Sequence, residues 1–396
     1  MFWLLALFSN SSSGAFSAVI QWSTSSVQLP PEIVLIGQVS GTFGYLAGTA
    51  FAILVGRRWR SIEAVLVSTS LEIVACLPAL IIGWAHRSGE MLEIRAAAIL
   101  AMATALFAFA SGIGGPSWIA LVYNWGDESW ASRIHWDSVQ FNMGRMIGPY
   151  IGAQFLVNLH AALFISAILN CLSFSFVLLF VVLRLRGSCC ASVENLDNEG
   201  SREVTEQAKN TVLALFLASF SVAVLCEGGR GYLARWLQVS GESPGTYSAI
   251  SFMISLSAAL ASFWMAKNKV LFGYPVAIGA SFCVASFALW ICAGHWWTGW
   301  LLGGVLSGLG ASLTYGAISA TLMAGRSDAD ARYISSLQLI VRSVGAVVGA
   351  GIPVAWLEGG HIIYWLAYCL IIAIGIVPLW IIVIRGSYSP SLRKSQ

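Results

Sequence analysis

Charge is what this 396-residue sequence has least of: Asp, Glu, Lys and Arg make up 10% of it, against 58% apolar residues. Soluble domains carry about 25% charged residues, and a chain this long cannot cover a water-facing surface with so few. A disordered chain is excluded for the same reason. Other absences narrow the function. There is no G-x4-G-K-[ST] loop to hold ATP phosphates, and no Cys-x2-Cys pair among eight cysteines. The five histidines never fall three or four apart, so no metal site, cofactor or catalytic residue is expected. The net charge of +3 is too small to point to nucleic acid.

What remains is an all-α membrane protein. A membrane-crossing helix needs about 20 mostly apolar residues. Such stretches lie near 2–24, 32–55, 62–84, 95–124, 134–158 and 161–183, then near 210–236, 246–266, 270–294, 297–325, 333–356 and 361–384. Twelve transmembrane helices are therefore expected, in an N-terminal six-helix bundle (1–184) and a C-terminal one (210–385). A polar linker (185–209) joins them and a tail (386–396) follows. With both termini in the cytoplasm, fifteen of the 21 Lys and Arg fall in inner loops and four in outer loops, while Arg145 and Arg342 fall inside spans. That bias fixes the expected orientation, and Trp84, Trp125, Trp130, Trp296, Trp297 and Trp300 mark the expected interfaces with lipid.

The halves echo each other. Arg145, Gly148, Gly152 and Ala153 in span five recur as Arg342, Gly345, Gly349 and Ala350 in span eleven, all at an offset of 197. Two parallel six-helix repeats form a transporter architecture, with the substrate site between them. At these residues the chain resembles the major facilitator superfamily. Gly144-x3-Gly148-Pro149-x2-Gly152-Ala153 is similar to the fifth-helix motif of that superfamily's exporters. The stretch from Pro116 to Val122, Asp127-Glu128 and the stretch from Asp330 to Ser336 resemble the branch containing the enterobactin exporter and related secretion permeases. In the loop after span two, Arg57 and Arg60 match the family pattern, whereas Ala52 and Gly56 replace its Gly and Asp. The resemblance implies a major facilitator fold whose helices one, four, seven and ten line a central cavity, with two, five, eight and eleven beside them.

Candidate residues follow from what a bilayer makes expensive. Arg145 and Arg342 sit near mid-depth, where a charge needs a cavity or a partner, and are candidates to receive an anionic substrate. Asn10, Ser13, Asn124, Gln140, Asn142, Tyr315 and Gln338 complete the expected polar lining. Glu227 and Arg230 bracket Gly228-Gly229 and are candidates for proton coupling or a gate, the glycines being a place where the helix breaks. Glu72 is expected to pack on a peripheral helix, while His135 and Asp137 are expected in solvent near the inner surface. Rows of glycine at every fourth position, Gly144-Gly148-Gly152 with Pro149 among them, permit close helix approach, either as static packing or as a sliding interface between halves.

The expected function is secondary active export of a small organic molecule, siderophore- or antibiotic-like, by alternating access with protons moving inward. The partners are the solute, protons and the lipid bilayer, and a monomer suffices. An importer of a similar solute, or a non-transporting sensor or assembly partner, uses the same features. The charge bias carries the orientation: a membrane-impermeant thiol reagent applied outside intact cells is expected to miss Cys189 and Cys190, and labelling from outside would reverse it.

Overall fold

The computed structural model describes residues 2–25, 29–55, 59, 61–85, 94–123, 130–155, 158–188, 206–270, 273–292, 296–323, 328–357 and 361–384. Each apolar stretch becomes helix. The first half contains α1 (Phe2–Thr24), α2 (Pro31–Val55), α3 (Ser61–Ala85), α4 (Ile94–Tyr123), α5 (Trp130–Phe155) and α6 (Leu159–Ser188). The second contains α7 (Glu206–Val222), a π-helical turn (Ala223–Glu227), α8 (Gly228–Val239), α9 (Pro244–Asn268), α10 (Tyr274–Cys292), α11 (Trp297–Met323), α12 (Asp328–Leu357) and α13 (His361–Ile384). Among the described residues five helices, α3, α4, α6, α9 and α11, are long and apolar enough to cross a membrane, and the chain is an integral multi-pass membrane protein. The helix α5 falls below that threshold because Asp137, Gln140, Asn142 and Arg145 interrupt it.

Two boundaries differ from expectation. Helix α6 runs past its apolar stretch to Ser188 and α7 starts at Glu206, so helix extends into both ends of the polar linker. Residues 189–205 and the tail lie outside the described residues, as do Asn124, Arg57 and Arg60. The expected break at Gly228-Gly229 is instead a rewinding. The helix widens into the π turn just before the glycines and resumes at Gly228. Val222 to Cys226 are at most 1% exposed, so packing from all sides holds the widened turn together.

Glycine decides how the helices pack. A Cβ on Gly144 would lie 2.5 Å from Asn10 Cβ, and one on Gly148 would meet the Ser11 carbonyl and, at 2.6 Å, the Ala15 nitrogen, so α5 rests on the backbone of α1. In the second half Gly345 and Gly349 place α12 against Phe220, Ala223 and Val224, at the end of α7 and in the π turn. Gly44 and Gly48 seat α2 on Ala105 and Phe109 of α4, while Gly304 and Gly308 seat α11 on Ile250 and Ile254 of α9. Lipid tails are as apolar as leucine, so close backbone packing supplies cohesion that the hydrophobic effect does not. All four rows act within one half. Among the described residues these rows serve packing within a half and not a sliding interface between halves.

Between the halves the broad contacts are α5 with α9 and α2 with α12, and they are made differently. We call the end where α6 finishes and α7 starts the linker end, and the opposite one the far end. At the far end Gln238 Nε2 donates to the Trp22 carbonyl (2.9 Å), Arg235 to the Ser25 carbonyl (3.4 Å), and Trp22 packs on Tyr247. At the linker end His135 Nε2 bonds the Val270 carbonyl (2.8 Å), and Ile119 and Ile134 pack on Met323. Overpacking a tight core costs about 1–3 kcal/mol. Gly148→Ala and Gly349→Ala are therefore expected to lower the melting temperature of the purified protein by several degrees. Gly245→Ala, whose Cβ would meet only Ser243 Oγ at 3.4 Å, is expected to leave it unchanged.

Candidate substrate cavity

Between those two sets of contacts lies a cavity of about 400 Å³. Both halves line it: α1 contributes Ser17 and Gln21, α2 Tyr45, α4 Trp118, and α5 Asp137, Asn142 and Arg145. From the second half come Arg230 on α8, Tyr247 and Ser255 on α9, Tyr315 and Ser319 on α11, and Gln338 and Arg342 on α12. The polar groups are organised by their helices. Asn142 Nδ2 bonds back to the Ser138 carbonyl one turn earlier (2.8 Å), and Gln338 Oε1 accepts from Ser319 Oγ (2.9 Å). Gln21 ties the halves together at the far side, accepting from the Tyr247 hydroxyl (2.9 Å) and donating to the Arg230 carbonyl (3.2 Å).

Three guanidinium groups face this space, each held differently. Arg145 lies over the Phe141 ring at 4.8 Å and Arg342 over the Tyr315 ring at 4.1 Å. A planar guanidinium stacked on an aromatic face has its orientation fixed relative to the space it faces. Arg230 is spent on the protein: Nε donates to Ser307 Oγ and Nη2 to the Ser307 carbonyl, both at 3.0 Å, anchoring α8 to α11. The mid-helix arginines of the two halves thus come to one cavity, joined by Asn142, Tyr315, Gln338 and Arg230.

Other expected residues lie elsewhere. Ser13 Oγ donates to Asn170 Oδ1 on α6 (3.1 Å), within a cluster that includes Ser12 and Ser173, and Asn10 packs at Gly144. These α1 residues face neighbouring helices, because the cavity takes only the stripe carrying Gly14, Ser17, Ala18 and Gln21. Gln140 is buried beside the cavity and donates through Nε2 to Asp137 Oδ1 (3.2 Å). The side chain of Glu227 lies outside the described residues. Glu72 is 7% exposed and accepts from Ser111 Oγ (2.6 Å), which joins α3 to α4 away from the cavity.

Solvent exposure for His135 and Asp137 is corrected: His135 is fully buried at the linker-end contact, and Asp137 lines the cavity, accepting from Trp118 Nε1 (3.1 Å). Position along α5 placed both near an aqueous surface, but the second half covers that end of the helix. Asp137, Gln21 and Tyr247 were missed. The spacing of four between Asp137 and Phe141 and of eight to Arg145 puts them along one side of a helix, a signal the sequence did contain.

The architecture has relatives among solved structures. A bacterial homologue of the iron transporter ferroportin in its outward-facing state superposes with a TM-score of 0.67 at 13% identity, over 98% of each chain. A POT family transporter in complex with 5-aminolevulinic acid gives 0.65 at 14% identity, over 98% of this chain and 96% of that one. FucP, a major facilitator superfamily transporter in the outward conformation, gives 0.60 at 16%, over 96% and 97%. No protein-family model matches the sequence, and no curated protein does. The chain therefore has the major facilitator fold, a fold these relatives use as transporters, and none of them singles out the enterobactin-exporter branch.

The stacked arginines make a prediction. For an organic anion that raises the melting temperature of the wild-type protein, Arg145→Lys and Arg342→Lys are expected to weaken binding about tenfold, close to 1.4 kcal/mol, because the planar fork is lost. Their melting temperatures without ligand are expected to stay within a few degrees of wild type. Variants that unfold without a separable binding defect would mean that both arginines serve packing.

Proposed function

We propose that this protein is a secondary active transporter that moves a small organic anion by alternating access, with twelve crossings, two repeated six-helix halves and both termini in the cytoplasm. The observation that carries the reading is the cavity itself: two stacked arginines, one from each half, face a space bounded by interhalf contacts at both ends. Each half is held together by glycine-seated backbone contacts, whereas the joins between halves, α5 on α9 and α2 on α12, are made by larger side chains, hydrogen bonds and aromatic pairs at either end. Two stiff bodies with breakable joins at either end are what exchange of access requires.

The proposed direction is export against inward proton flow. Its support is the span-five motif, Gly144, Gly148, Pro149 and Gly152, together with the sequence leading into α12. With no ATP-binding loop in the sequence, a gradient has to do the work. Glu227, the last residue of the π turn, is the proposed proton carrier, since π turns inside helices recur at functional sites. Arg230, one turn on and anchored to Ser307, links that turn to the cavity. The Ser248 hydroxyl donates to the Pro149 carbonyl (3.2 Å), so the span-five motif meets the other half directly and a bend there alters the join.

In vesicles with an imposed pH step of each sign, flux of the transported anion is expected to follow the step and to run opposite to the protons. Glu227→Gln is expected to keep binding and lose the pH drive. Flux indifferent to both steps would refute proton coupling, and movement of solute with protons would make the protein an importer.

A further inference from the structure

Among the described residues that line the cavity, Asp137 carries a charge of the opposite sign, and its surroundings are incomplete. Asp137 reaches the cavity wall from α5, and both hydrogen bonds it receives, from Trp118 Nε1 and Gln140 Nε2, go to Oδ1. No ion pair reaches its carboxylate among the described residues, although Arg133 lies one turn away on the same helix. Trp118 of α4 donates to Asp137, and α11 and α12 line the same cavity with Ser319, Met323 and Ser335, none of which is basic. Gln140 lies behind Asp137, outside the cavity lining. Its side chain is 8% exposed, its Nε2 is committed to Asp137, and its Oε1 has no hydrogen-bond partner. A half-buried carboxylate that meets no cation is costly unless something donates to its remaining oxygen. An ammonium has three N–H donors and a positive charge, which fits the open Oδ2 of Asp137.

Asp137 and Arg145 are eight residues apart on α5, about 12 Å along the axis at 1.5 Å per residue. Arg342 faces the same space from α12. The cavity therefore has a negative pole toward the linker end and a positive pole at mid-height. We propose that it selects a zwitterionic organic solute, with an ammonium group held by Asp137, which Gln140 positions, and a carboxylate held by Arg145 and Arg342. This rests on the reading of the cavity as the substrate site and narrows it from anion to zwitterion. The two charges of the solute lie on the order of 10 Å apart, set by the rise along α5. The wall between the poles carries Phe141 and Tyr315 and suits an apolar connecting segment.

The test uses three molecules of one length on the full-length protein in phosphatidylcholine nanodiscs: 8-aminooctanoate, its N-acetyl derivative (anion only) and 8-aminooctanamide (cation only). Binding is read by calorimetry against empty nanodiscs. The zwitterion is expected to bind at least tenfold more tightly than either single-charge analogue. In Asp137→Asn, which keeps an acceptor for Trp118, its advantage over the N-acetyl compound is expected to vanish. Melting curves confirm that the variant is folded, and Gln140→Leu is expected to reduce the same advantage. If the N-acetyl compound binds as well as the zwitterion, or the advantage survives in both variants, the inference is overturned while the anion-transport reading stands. If none of the three binds, the anionic substrate class falls with it.

Discussion

Backbone-to-backbone contact at glycine is the constraint on which the rest of this structure depends. In lipid there is no gain from hiding one apolar helix against another, so helices stay together by dispersion and by hydrogen bonds that close approach permits. The rows at Gly44 and Gly48, Gly144 and Gly148, Gly304 and Gly308, and Gly345 and Gly349 each draw two helices of the same half to that distance. The consequence is a division of labour. Small residues fix the inside of each half, which leaves the surface between halves to larger and more polar side chains. A cavity forms there because those side chains do not close-pack.

The charges then find the one place where they are tolerable. Arg145 and Arg342 occupy equivalent helix positions, three residues before Gly148 and Gly345. The spacing of three sets each arginine about 60° around the helix from the glycine that meets its partner within the half, at the edge of that contact, where the cavity opens. Packing and polarity are thus two sides of one helical pattern. Aromatic rings hold the guanidinium groups in place, at 4.8 Å for Arg145 over Phe141 and 4.1 Å for Arg342 over Tyr315. Glu72 shows the other solution to a charge at depth: burial within one half, with a serine donor from the next helix.

Much of the fold was legible because apolar run length and helix identity are local properties. Each of the twelve apolar stretches corresponds to a helical segment, and the offset of 197 pointed to the two arginines that meet in the cavity. Helix facing is not local, and there the sequence was a poorer guide. Ser13 and Asn10 belong to a polar run on α1, but only one stripe of that helix reaches the cavity, and theirs faces α5 and α6. Asp137 and His135 lie near a helix end, which suggested solvent until the linker ends of α9 and α11 covered them. The π turn had no signal beyond the glycines that follow it.

The central claim is that two rigid halves exchange contacts at opposite ends around a fixed cavity. Paired spin labels test it most directly, with one pair across the far end at Arg95 and Val239 and one across the linker end at Glu63 and Asn268, all exposed positions. Pulsed electron–electron distance measurements in nanodiscs, with and without ligand and at two pH values, are expected to show the two distances changing in opposite senses. Distances that change together, or a far-end change with the linker-end distance fixed under every condition, would contradict it.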